Sequence, residues 1–91
     1  MEKLLVEFLG TFALTYVALA TGNAYAIAAT LALAILLGGA ISGGSFNPAV
    51  TIAMWMSNKI SKSDMLPYIL AEVLGGFVAY TFFKRVGTLR F

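Results

Sequence analysis

Apolar residues run through this chain in blocks far longer than a soluble core requires. Formal charges occur at positions 2, 3, 7, 59, 62, 64, 72, 84, 85 and 90, so Phe8 to Asn58 is an unbroken uncharged stretch. About 20 apolar residues, rising ~1.5 Å each, carry a helix across a hydrocarbon core ~30 Å thick. That length divides the chain into three candidate transmembrane spans, at residues 4–20, 24–41 and 66–83. Thr21-Gly22-Asn23 stops the first and makes a very short turn, and Ser42-Gly43-Gly44-Ser45 stops the second. Pro67 suits the start of the third, which Lys84-Arg85 closes.

Residues 47–56 remain, apolar but long enough for only ~15 Å of helix, half a bilayer. Asn47 can cap this segment, and Pro48 can take its first helical position, where the missing N–H costs nothing. The prediction is a re-entrant half-helix. Gly43 to Phe46 would precede it as extended backbone at membrane depth, tolerated only when buried in protein or lining a wet cavity. A helix lying flat on the membrane surface is the other reading, but Ala49 to Met56 lacks the charged face that it requires. Lys3, the apolar run from Phe8 and Ala18-Leu19-Ala20 also trace a signal-peptide outline, which Glu2 and Glu7 spoil. The expected fold class is an all-α membrane protein. It is a single integral, multi-pass domain over residues 1–91, with three spans and one half-helix.

Composition narrows the function. The 91 residues are 60% hydrophobic and 11% charged, with a net charge of +2 and neither His nor Cys. Without imidazole or thiol the chain builds no ordinary zinc site, Ser-His-Asp triad, thiol nucleophile or disulfide. Neither an enzyme nor a metal or cofactor carrier is expected. Six cations spread over the chain ends and one loop are too sparse for a nucleic-acid surface. Lipid is the partner to which the composition points.

Ile41-Ser42-Gly43-Gly44-Ser45-Phe46-Asn47-Pro48-Ala49-Val50-Thr51 resembles the first-repeat signature of the aquaporin and glycerol-facilitator family, Asn-Pro-Ala (NPA) triplet included. Glu7-Phe8-Leu9-Gly10-Thr11-Phe12 is similar to that family's first helix with its embedded glutamate, and Tyr68 to Gly76 to its third. The likeness extends over residues 4–86. Members of the family carry two such repeats in inverted topology, with half-helices that enter from opposite leaflets and meet at the midplane. This chain has one repeat. Where the family's second repeat has an arginine after its NPA triplet, Val50 stands here, and no arginine precedes Arg85.

Two parallel copies would send both half-helices in from the same side, whereas an antiparallel pair, with its two-fold axis in the membrane plane, restores the arrangement. The charges permit such a pair. With three spans, Lys3, Lys59 and Lys62 share one side and Lys84, Arg85 and Arg90 the other, a balance that sets no orientation. What the resemblance implies is a passive channel for water and small neutral solutes such as glycerol or urea, one pore per antiparallel homodimer. By analogy with the family's tetramers, four pairs would bring eight chains together.

The resemblance also implies residue roles. Asn47 amides would donate to passing oxygens where the half-helices meet, interrupting a proton wire, while the positive helix ends disfavour cations. Pro48 would start the half-helix and Ala49 let its counterpart approach. Backbone carbonyls of Gly43, Gly44, Ser45 and Phe46 would line the path. By offset from Asn47 the constriction falls at Ile27, Ile35, Gly44 and Val50, all apolar or bare. That set predicts a wide, weakly selective passage, or one that closes by dewetting. Glu7, with Thr11 one turn on, and Glu72 in the third span are expected to support the loop, with a surface position for Glu7 as the alternative. Gly39 with Gly43, and Ala71 with Gly75 and Ala79, read as small-residue stripes for close packing, and Trp55, Tyr68, Tyr25 and Tyr80 suit the interfacial belts. Two other functions share these features: a dual-topology proton-coupled transporter using Glu7, and a non-conducting accessory subunit.

Overall fold

A computed structural model describes residues 1–88; Arg90, the third of the C-terminal cations, lies outside the described residues. Four helices follow one another: α1 (Glu2–Thr21), α2 (Ala24–Ser42), α3 (Pro48–Met56) and α4 (Lys62–Val86), with no strand among the described residues. α1, α2 and α4 are long and apolar enough to cross a membrane. The nine residues of α3 reach only ~14 Å.

Local chemistry sets the boundaries. Thr21 Oγ1 donates to Val17 O at 2.7 Å, and Gly22 ends α1 in the left-handed conformation, φ 56°. Asn23 Oδ1 then accepts the N–H groups of Tyr25 (2.9 Å) and Ala26 (3.0 Å) to begin α2. The third span starts more than a turn before the place that Pro67 predicts. Ser61 caps it, its Oγ accepting the Asp64 N–H at 3.2 Å, and Pro67 sits inside α4. So near the helix start the proline deprives only the Ser63 carbonyl of a partner, and Ser63 is exposed to other donors.

α1 is the centre of the packing: α4 lies along one side of it and α2 returns along another, while α3 rests on α4. Lys3 Nζ and Asp64 Oδ2, 2.9 Å apart, join the first turns of α1 and α4. Phe12, Tyr16 and Phe82, with ring centroids 5.2–6.3 Å apart, join later turns, so the two helices run parallel. The exposed ion pair contributes no more than about 1 kcal/mol; it marks register. Between these contacts Gly75 brings the backbones together, since a Cβ there would stand 2.6 Å from Phe8 O. Ala79, one turn on, is fully buried, and Ala71 half-buried. Gly38 likewise admits α1, because a Cβ on it would stand 2.5 Å from Val6 Cγ1. No other helix approaches Gly39 or Gly43 among the described residues; Gly43 instead ends α2 at φ 93°.

Candidate functional site at the linker before α3

Residues 43–47 must turn the chain from the end of α2 into α3 while most of them are buried. Gly43, Gly44 and Phe46 do so with positive φ, at 93°, 67° and 53°. For phenylalanine this conformation costs about 1–3 kcal/mol, which its contacts offset. The Phe46 N–H donates to Glu7 Oε1 at 2.8 Å, and its ring is buried beside Gly10, where any Cβ would collide with it.

Two glutamates anchor the linker. Glu7 Oε2 accepts from Ser42 Oγ at 2.6 Å, and Ser42 Oγ in turn accepts the Gly44 N–H at 3.1 Å. Ser45 Oγ lies 2.9 Å from Glu7 Oε1 and also 2.9 Å from Glu72 Oε2, so its one proton bridges α1 and α4. Thr51, in the first turn of α3, donates to Glu72 Oε2 at 2.6 Å and stands 2.7 Å from Ser45 Oγ. Tyr68 OH donates to Ser42 O at 2.7 Å, fastening the last turn of α2 to α4. All four helices therefore contribute a side chain to hold five residues. With Glu7 at 0% exposure and Glu72 at 1%, these bonds stand where water cannot replace them.

Asn47 faces the other way. Its backbone is extended, and its Oδ1 accepts the N–H groups of Ala49 (2.8 Å) and Val50 (3.4 Å), capping α3. With the oxygen so engaged, the amide nitrogen keeps both of its donors, and the residue is exposed. Ala49 and Val50 are exposed beside it and Pro48 half-buried. Ile35, exposed on α2, lies against Gly44, with Cγ1 3.4 Å from where a Cβ would be, whereas Ile27 is half-buried in the first turn of α2.

The structure thus gathers Glu7, Ser45, Phe46 and Glu72 into one cluster. It leaves Thr11 outside: the residue is buried, yet its Oγ1 has no partner among the described residues, and neither has Glu72 Oε1. Two expectations are corrected and one alternative falls. Gly43 to Phe46 are not extended, since three of the four take positive φ. Glu7 does not reach the surface, because the linker folds over it. Tyr68 is not an interfacial aromatic; it is buried, with its hydroxyl on Ser42 O. Sequence reading missed Ser42, Thr51 and Tyr68 as parts of the site. A signal for the first two existed, since buried carboxylates require donors and these hydroxyls flank the Gly-Gly and Asn-Pro-Ala steps of a charge-free run.

The chain matches the model of the family described as major intrinsic protein over residues 20–89, most of its length. It belongs to the major intrinsic protein family. Glycerol uptake facilitator protein-like 6 of Lactiplantibacillus plantarum is 44% identical over 88 residues, and aquaporin Z of Photorhabdus laumondii 36% over 94. Each alignment covers 87% of this chain and 41% of the relative. The propanediol uptake facilitator of Salmonella typhimurium is 42% identical over 62 residues, 64% of this chain and 24% of that one. This major intrinsic protein chain therefore spans about two fifths of the length of the first two relatives. No solved structure matches it significantly. Family membership and three apolar spans make it an integral membrane protein, and its helices are consistent with half of an aquaporin fold.

Proposed function

We propose that this chain is one half of a passive conduit for water and small neutral solutes, and that a second copy, antiparallel in the membrane, supplies the other half. The observation that carries the reading is Asn47, whose oxygen caps α3 at 2.8 Å from Ala49 N and leaves two donors on an exposed surface. Donors beside the positive end of a helix hold a passing molecule by its oxygen. A water held so points its hydrogens away on both sides, which breaks a proton wire, and the same helix end repels cations. Exposed Ile35 and Val50 give an apolar surround suited to neutral solutes, and Gly44 is buried beneath Ile35. The printed names of the relatives, an aquaporin and glycerol and propanediol uptake facilitators, agree with that solute class.

Pairing follows from length. A half-helix of ~14 Å covers half of a ~30 Å core, and a copy entering from the opposite leaflet covers the rest. Balanced cations let copies insert both ways; four such pairs would make an assembly of eight chains. Glu7 supports this reading over proton coupling, since both of its oxygens are engaged by the linker, at 2.6–2.9 Å, and it has no exposed surface.

The test is stopped-flow osmotic shrinkage of liposomes that contain only the purified chain, beside an Asn47→Asp variant. Aspartate keeps the cap but has no donors and brings a negative charge. Shrinkage well above bare lipid, lost in the variant, and re-swelling in glycerol are expected. Shrinkage at the bare-lipid rate from folded chains inserted in both orientations would remove the conduit in favour of an accessory subunit, and dependence on a pH gradient would favour the coupled transporter.

A further inference from the structure

α4 carries a second constellation, remote from the linker. Phe77, Tyr80, Thr81, Lys84 and Arg85 line a groove of about 380 Å³ along one stripe of its last turns. Depth in the membrane gives the stripe a direction. Lys84 lies about 20 residues beyond Asp64, hence ~30 Å along the helix, and the Asp64–Lys3 pair marks the opposite surface. The two cations therefore stand at the headgroup level, while exposed Phe77 and Tyr80 face the acyl region below them.

Charge on this stripe is of one sign. No acidic residue follows Glu72 in the sequence, and Glu72 is buried in the linker cluster. Lys84 Nζ rests 5.7 Å from the centroid of the Tyr80 ring, which holds the ammonium beside the groove. Thr81 turns its hydroxyl back to Phe77 O at 3.1 Å, so the polar end of the groove is left to Lys84 and Arg85.

The geometry points to a binding site for anionic phospholipid at the C-terminal end of α4. The phosphodiester sits between the Lys84 ammonium and the Arg85 guanidinium, a point charge beside a planar fork, and an acyl chain follows Tyr80 and Phe77 toward the bilayer interior. Phosphatidylcholine carries the same phosphate, but its own cation opposes the pair, so net negative charge is what the groove selects. A free phosphate has the charge without the tails that the two aromatic rings are placed to meet. Among the described residues the site involves α4 alone, and it stands or falls separately from the conduit.

Native mass spectrometry of the full chain in neutral detergent, titrated with phosphatidylglycerol or phosphatidylcholine, tests it without regard to membrane orientation. Phosphatidylglycerol should be retained on the order of tenfold more strongly. The preference should vanish in Lys84→Gln/Arg85→Gln, persist in Lys59→Gln/Lys62→Gln, and survive excess inorganic phosphate. Both pairs are exposed, and circular dichroism shows whether each variant keeps its helices. Equal retention of the two lipids, a preference that outlives the Lys84/Arg85 change, or one lost equally with Lys59/Lys62 would overturn the site. Displacement by phosphate alone would overturn the assignment to lipid. Should the double variant lose its helices, Arg85→Gln alone must still lower the preference, and an unchanged preference there counts against the site.

Discussion

Ser45 is the residue on which the linker turns, because one hydroxyl lies within 2.9 Å of carboxylates from two different helices. Removing either carboxylate or the hydroxyl strands different numbers of donors. Glu7→Ala strands the Ser42 hydroxyl proton and the Phe46 N–H, the latter in a backbone conformation that the bond helps to hold, and leaves Ser45 Oγ to Glu72 and Thr51 alone. Ser45→Ala leaves Glu7 with Ser42 and Phe46, and Glu72 with Thr51. Glu7→Gln still accepts the Phe46 N–H and loses only the bond on its amide side. At roughly 1–3 kcal/mol per buried group left unpaired, stability in detergent should fall most in Glu7→Ala, less in Ser45→Ala and least in Glu7→Gln. Equal losses in all three would show that the cluster does not hold the linker.

Small residues matter for helices according to what they face, not how they are spaced. Gly75 faces backbone, with Phe8 O 2.6 Å from a would-be Cβ, and carbonyl oxygens of a helix have nowhere to retreat. Gly39, in an equally regular stripe, faces only Ile35 of its own helix at 3.5 Å. Gly75→Ala should therefore cost about 1–3 kcal/mol by forcing α1 and α4 apart, and should weaken the linker cluster that these helices carry. Gly39→Ala should be neutral or slightly stabilising, since alanine favours the helix by up to about 1 kcal/mol. Thermal unfolding of the two variants in detergent separates these outcomes; similar losses would mean that Gly39 also sits at an interface.

Most large apolar side chains on α2 are exposed, Leu36 and Leu37 at 79% and 80%, so the bundle offers lipid or another chain a broad apolar surface. Which leaflet receives each end depends on cations. Removing Lys84 and Arg85 leaves Lys3, Lys59 and Lys62 dominant and should drive the N-terminal side to the cytoplasm. Lys59→Gln/Lys62→Gln should drive the opposite orientation. C-terminal reporter fusions are expected to read both orientations in the parent chain and one in each variant. Water flux in cells should drop for either variant alone and return on co-expression of the two. Flux unaffected in singly oriented variants would exclude the antiparallel pair.

Three spans, a short helix opening at Asn47-Pro48 and two glutamates set in apolar sequence were all legible in the residues themselves. Run length against a membrane of known thickness, caps and turn residues are local properties, so neighbours along the chain suffice to read them. Even there one local rule yielded to another, when the Ser61 cap started α4 ahead of Pro67. The partners of the glutamates were not legible. Ser42 reaches Glu7 across 35 positions and Thr51 reaches Glu72 across 21; the first depends on how α2 packs on α1, which Gly38 permits, and the second on how α3 rests on α4. Tyr68 looked interfacial by its place near a span end and was drawn inward by an unpaired carbonyl of α2. The left-handed Phe46 has no signature at all in its own residue type; it exists because Glu7 takes its N–H and Gly10 leaves room for its ring. Elements come from near neighbours, whereas the buried polar bonds come from surfaces that meet only once those elements have packed.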